Sequence, residues 1–312
     1  RPWEVCSMDV FGHRKRLLMA LALPALALVA CGGGSSSGGS GSGSPSPTVA
    51  TATQDPAVAN QVPAAIKAKG TLTAAADATY SPDEFIGPDG STVMGFDVDL
   101  TKALGQVMGL QINVVSATFD TIIPGLTSGK YDLGVSSFTD TKAREQQVDF
   151  VTYFSSGEAF VVKASSSLNV KTLDDICGHT VGVESGTTEQ MDAQTQDMTC
   201  KSAGKQGVTV STYPDQNAVN LALSSGRVEL NFLDSQIAAY QASISNGQFK
   251  VTGPAFNTAP YGIAIPKNNG MAPVVLAALK DLMTSGVYKQ ILSKWGVQLG
   301  AVSNPAVNGA TS

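Results

Sequence analysis

The chain has 312 residues, a net charge of −5 and charged side chains at only 14% of positions. Its one basic block, "HRKR" at 13–16, lies near the N-terminus, so neither composition nor charge pattern suits a nucleic-acid partner. A Gly/Ser-rich stretch, "GGGSSSGGSGSGSPSPT" (32–48), cannot bury a core, and about 250 residues remain, enough for two lobes of ordinary size.

Residues 1–7 precede Met8, the expected start. The apolar run Leu17–Ala30 follows the basic block and is shorter than the ~20 residues that span a bilayer. A positive start, a short apolar middle and a small residue before the break make residues 1–30 a secretory signal. Cys31, after "LVA", sits where a bacterial lipoprotein signal places its lipid-modified cysteine. The alternative is an ordinary signal peptide with a stray cysteine; the tether that follows, taken as residues 31–60, favours a lipid anchor. The protein is thus expected at the extracytoplasmic face of a membrane, in the cell envelope. Cys6 lies upstream of the expected start, leaving Cys177 and Cys200 as a pair for a disulfide in an oxidising compartment. Two reduced, buried cysteines are the alternative. Neither has a Cys or His at ligand spacing, so no metal site is expected, and no cofactor.

Beyond the tether, strands and helices alternate. "GTLTAAAD" reads as a strand, and "GFDVDLTKALGQVMG" as a helix with Leu100, Ala103, Leu104, Val107 and Met108 on one face and Gly109 at its end. "LQINVVS" is a strand, "FDTIIPGLTSG" a short helix and "KYDLGVSSF" a strand. "HTVGVES", "VTVSTY" and "RVELNFLD" are strands, followed by the helices "TTEQMDAQTQ", "DQNAVNLALSSG" and "SQIAAYQAS". "YGIAIPK" is a strand, and two helical segments after it break at Gly286. This order predicts an α/β protein with parallel sheets covered by helices. The expected lobes are 61–159 with 260–300, and 160–259, with hinge strands near 160 and 260 and a flexible tail over 301–312.

Ligands of open α/β sheets sit beyond the carboxyl ends of strands, near helix N-termini. Ser136, Ser137 and Thr139 end one strand, Glu184 to Thr188 another and Asp234 a third. Arg144 offers a planar fork that matches a carboxylate, and "SGTT" opens a helix whose N–H groups favour an anion. Asp234 suits an ammonium group. Together these groups fit an α-amino acid. Each has a plainer reading: Arg144 on a helix surface, the hydroxyls and Asp234 as helix caps.

Over residues 68 to 298 the chain resembles the bacterial extracellular solute-binding proteins of family 3, the amino-acid-binding components of ABC importers. The most specific stretch is "GFDVDLTKALGQVMG"; "ADATYSPDEF", "FDTIIPGLTSGKYDLGVSSFTDTKAREQQVDF", "VGVESGTTEQ" and "SGRVELNFLD" follow the family's order. The resemblance implies a two-lobed periplasmic-binding-protein-like fold and a permease partner. It implies that Arg144 binds the carboxylate, with Ser137 and Thr139 from one lobe and Thr187 and Thr188, beside Gly186, from the other. Asp234 would bind the ammonium group, Tyr80 and Phe119 would wall the side chain, and Asp77 would touch its far end. Glu184 departs from the pattern, since histidine- and lysine/arginine/ornithine-binding relatives carry leucine there and a glutamine-binding relative lysine. A second acid there favours a cationic ligand or points to solvent. The expected protein is a monomeric binding protein for a polar or cationic L-amino acid. A dehydratase of aromatic amino-acid synthesis on the same fold, or a sensor domain, is the rival.

Overall fold

The computed structural model describes residues 51–311. The signal segment, Cys31 and the Gly/Ser stretch lie outside the described residues.

Two short helices, α1 (Pro56–Ala59) and α2 (Ala64–Lys69), lead into β1 (Thr71–Ala76). A small antiparallel sheet follows, made of β2 (Thr79–Tyr80), β3 (Glu84–Ile86) and β4 (Val93–Met94). Helix α3 (Phe96–Met108) buries Phe96, Leu100, Leu104 and Val107, the apolar face read from the sequence, and stops at Gly109 in the left-handed region. Its entry needs Gly95, at φ 138, because a Cβ there would sit 2.1 Å from the Asp83 carbonyl oxygen. Strand β5 (Gln111–Ser116) pairs parallel with β1. Helix α4 (Phe119–Thr127), β6 (Leu133–Gly134) and the single turn α5 (Lys142–Glu145) complete this part of the first lobe.

The second lobe holds β8 (Thr180–Glu184), α6 (Thr188–Ser202), β9 (Thr209–Tyr213), α7 (Gln216–Ser225), β10 (Leu230–Asp234) and α8 (Ser235–Ile244). Two long strands, β7 (Val148–Lys163) and β11 (Phe249–Pro266), join the lobes. At ~3.3 Å per residue each is long enough to run through both halves. They pair antiparallel from Val148↔Pro266 to Phe249↔Lys163, with register shifts between Thr252 and Ala259. One continuous sheet results, in the order β5-β1-β6-β11-β7-β10-β8-β9. Gly157 lies at the irregular stretch, where a Cβ would meet the Phe256 carbonyl oxygen at 2.7 Å. The chain returns to the first lobe as α9 (Met271–Thr284) and α10 (Val287–Trp295), separated at Gly286 as the sequence predicts.

Each lobe has its own core. Leu72, Phe96, Leu104, Ile263, Leu279 and Ile291 belong to the first, and Phe160, Val181, Val183, Leu230 and Phe232 to the second. The disulfide Cys177–Cys200 forms in the second lobe, closing a loop of 23 residues between β7 and the end of α6. In the chain-entropy model such a closure stabilises by roughly 3 kcal/mol.

Several expectations are corrected. The sheet is mixed, because β7 and β11 run antiparallel to their neighbours. The strand read over "KYDLGVSSF" shrinks to Leu133–Gly134, since Ser137 turns the chain with φ 47 and gives its N–H to Asp97 Oδ2 at 2.9 Å. The tether does not extend to residue 60. Asp55 donates its N–H to the Val107 carbonyl and caps α1, and Val58 and Val62 enter the first core. Nor is 301–311 a loose tail: it lies along β7 through bridges Phe154↔Ala301 and Val151↔Val307.

Candidate functional site in the cleft

Between the lobes is a cavity of about 20 Å³ lined by Asp77, Tyr80, Glu84, Phe119, Ser136, Ser137, Thr139, Arg144, Glu184, Thr187, Thr188, Glu189 and Asp234. That is room for about one water, far below the ~300 to ~1,000 Å³ of small-molecule sites, so the lobes are drawn together in this conformation. All the residues expected to bind are among them except Gly186, which contributes its backbone.

Arg144 is the one cation of the lining. It sits on α5, anchored by Thr141 as N-cap, and its side chain is buried rather than on a helix surface. Nη1 donates to the Thr139 carbonyl at 2.7 Å and Nη2 to the Gly186 carbonyl of the other lobe at 2.9 Å. Phe119 and Phe138 stack with centroids 4.4 Å apart, and the guanidinium carbon lies 5.4 Å from each ring. Burial lowers its pKa to about 10, so it stays charged at neutral pH.

The acids are more numerous. Asp234 ends β10 at the N-cap position of α8 without capping it; its Oδ2 accepts from the Tyr80 hydroxyl at 2.7 Å. Burial raises its carboxyl to about 7. Glu184, at the end of β8, is 3% exposed and its Oε1 has no hydrogen-bond partner. Its pKa rises well above the usual range through burial first and then through Asp77 and Asp215. Asp77 accepts from the Thr79 hydroxyl at 2.7 Å and from the Phe119 N–H, the first of α4, at 3.0 Å. Burial raises it too.

The hydroxyls behave less simply than expected. Ser136 Oγ accepts from the Asp77 N–H and donates to Glu84, and Ser137 Oγ donates to Asp83 at 3.0 Å. Thr187 caps α6 by accepting from the Gln190 N–H, as the plainer reading held. Thr188 meets Thr139 across the lobes at 3.4 Å.

Sequence reasoning missed Glu84 and Glu189. Glu84 is fully buried beside Asp83 and Asp97, and burial with these two raises its pKa well above the usual range. Glu189 sits one residue past the start of α6, buried, with Oε1 unpartnered and a carboxyl raised to about 8 by burial and then by Asp234. The signal was present for Glu189, as an acid in the first turn right after "SGTT", but a helix-dipole contact explains such a residue without a site.

Two lobes on two crossing strands, with an arginine and several buried acids facing one cavity, form the architecture of a cleft-type binder of a small solute. The family model of the bacterial extracellular solute-binding proteins, family 3, matches residues 72–298, and the chain belongs to this family. It is 30% identical over 254 residues to the arginine-binding protein ArgT of Corynebacterium glutamicum, covering 81% of this chain and 83% of that one. It is also 30% identical over 233 residues to the L-cystine-binding protein TcyJ of Escherichia coli, covering 74% and 84%. Among solved structures, an ancestral arginine-binding protein bound to arginine superimposes with a TM-score of 0.66 at 36% identity, covering 72% of this chain and 98% of that one.

The buried carboxyls set the sign of a pH effect. A carboxyl whose folded pKa is raised contributes most at low pH, and that contribution is lost as pH rises through the folded value. Glu184→Gln removes such a carboxyl and keeps its shape. Denaturant unfolding of the ligand-free protein should show the variant more stable by ~1–3 kcal/mol at pH 8 and nearly equal to the parent at pH 5. A variant equally or less stable at pH 8 would show that Glu184 carries its charge at no cost.

Proposed function

We propose that this protein captures a cationic L-amino acid, arginine first, outside the cytoplasmic membrane and delivers it to an ABC permease. The observation that carries this reading is the charge of the lining: Asp77, Glu84, Glu184, Glu189 and Asp234 against Arg144 alone. A neutral amino acid brings one positive and one negative group and leaves the excess acid unanswered. A basic amino acid adds a second positive group. Arg144 takes the α-carboxylate, keeping donors beyond the two bonds it makes to backbone carbonyls. Asp234 takes the α-ammonium, and Asp77 and Glu184, one from each lobe, take the distal cation. Lobe rotation at the irregular stretch of β7 and β11 admits the ligand.

Turnover is not favoured. His179, the one histidine among the described residues, pairs with Glu229 at 3.3 Å and lines no part of the cavity. Anchoring through a lipid on Cys31 rests on the sequence; membrane fractionation of a Cys31→Ser protein should find it released or unprocessed, and wild-type partitioning would refute the anchor.

Calorimetric titration tests the ligand assignment. Arginine, lysine or histidine should bind more tightly than leucine or valine, and the reverse order would refute it. Arg144→Ala should weaken the best ligand by ~3–5 kcal/mol, roughly a hundred- to several-thousand-fold, by leaving its carboxylate buried without a partner, and Arg144→Lys should not restore the parent's affinity, because a point charge does not fill the fork. Arg227→Ala, on an exposed residue outside the cavity, should bind like the parent. An Arg144→Lys protein that binds as the parent does would place the carboxylate elsewhere.

A further inference from the structure

The segment after α10 was expected to be loose, yet its backbone N–H groups are bonded at Val302, Ala306, Asn308, Gly309 and Ala310. The Thr152 N–H donates to the Ala306 carbonyl at 2.9 Å, and the Ala306 N–H donates back to Thr152 Oγ1 at 2.8 Å. Asn308 makes three bonds: its N–H to the Phe150 carbonyl, its Oδ1 accepting from the Phe150 N–H at 2.8 Å, and its Nδ2 donating to Asp149 at 3.1 Å. This edge is otherwise open, because β10 pairs with β7 only over Glu158–Val161. The segment therefore covers an edge of a hinge strand that would present unpaired N–H and C=O groups.

Two further bonds leave β7 for the loop that carries the carboxylate fork. The Gly309 N–H donates to Asp140 Oδ2 at 2.8 Å, and the Ala310 N–H donates to Glu145 Oε1 at 3.1 Å. These acceptors bracket Arg144: Asp140 follows Thr139, whose carbonyl receives Arg144 Nη1, and Glu145 follows Arg144 itself. Asp140 is fully buried. On its other side the loop is held by the Asp140 N–H to the Pro260 carbonyl at 2.8 Å and by a bridge between Thr139 and Tyr261. A one-turn helix of four residues has little stability of its own. Its position comes from these tertiary bonds; the segment supplies the two that fall on the acids, beside the local pair of Lys142 Nζ with Glu145 Oε2 at 3.1 Å.

We propose that residues 306–310 are a positioning strap: by clamping Asp140 and Glu145 they hold the Arg144 guanidinium in place for an anionic group in the cleft. The proposal rests on Arg144 gripping the ligand's α-carboxylate. None of the strap residues 306–310 lines the cavity, so the effect is pre-organisation of a loop and not a ligand contact.

Two variants test it in the full chain. Asn308→Ala removes two side-chain bonds, to the Phe150 N–H and to Asp149, at a position with φ 53, which alanine adopts poorly. Gly309→Pro deletes the N–H that Asp140 accepts. Calorimetry uses arginine and arginine amide, which lacks the carboxylate. Each variant should lose about tenfold or more in affinity for arginine and less than about threefold for the amide, shrinking the preference between them. A loss of equal size for both ligands, or none for either, overturns the strap. Hydrogen exchange of the ligand-free variants provides an arm that needs no ligand: protection should fall in peptides spanning 139–147 and hold in β1 and α9. Protection lost evenly over the first lobe would mean a role in stability alone, and unchanged protection over 139–147 would mean no clamp. Should wild type bind neither compound, the amino-acid reading fails and the exchange arm alone decides the strap.

Discussion

Five carboxyls and one guanidinium close on a single cavity, and the energetics of the cleft follow from that imbalance. Burial disfavours each carboxylate, and crowding disfavours it further, so Glu184, Glu189 and Asp234 are all pushed upward. Arg144 cannot answer them all. A buried charge without a partner is costly, whereas one that receives a hydrogen-bonded cation recovers the cost. The cleft is in this sense built against its own comfort, and a basic solute would relieve it. Stability and function are opposed at these residues, as they are wherever a site stores unfavourable electrostatics for a ligand to release.

The scaffold makes that arrangement possible by dividing the charges between lobes. Asp77, Glu84 and Arg144 come from one lobe, Glu184, Glu189 and Asp234 from the other, and only β7 and β11 connect them. Tyr80 to Asp234, Arg144 to Gly186 and Ser185 to Asp120 span the gap in the closed arrangement. Near the hinge, Gln236 of α8 donates to both Asp83 and Tyr261, at 3.0 and 2.8 Å, tying a buried acid of the first lobe to a crossing strand. Opening costs these bonds; a ligand that bridges the same lobes favours closure.

Much of this was legible from residues in order. The helix α3 announced itself by a 3.6-residue apolar pattern between two glycines, and Arg144, Thr188 and Asp234 stand at the strand ends and helix starts where α/β proteins bind. Local pattern could not reveal Glu84, which opens the short strand β3 and is buried against Ser136 and Asp97 of its own lobe, or Glu189, because an acid in the first turn of a helix is ordinary. Nor could it show that Ser136 and Ser137 spend their hydroxyls on Asp77, Glu84 and Asp83, since those bonds join positions more than 50 residues apart. The terminal segment was misread for the same reason: "AVSNPAVNGATS" has no periodicity, and its order comes from an open strand edge about 150 residues earlier in the chain.

The central claim is that the cleft's excess acid is answered by the positive side chain of its ligand. If so, binding a cation must pull the raised carboxyls down and expel protons. Calorimetry of arginine at pH 7 in two buffers of different ionisation enthalpy measures that directly, with citrulline as the neutral near-isostere. The account predicts that arginine releases more protons than citrulline, by roughly one per ligand bound, because both bring the α-ammonium that meets Asp234 and only arginine brings a distal cation. Arginine binding with no exchange of protons, or citrulline binding as tightly as arginine, would contradict it.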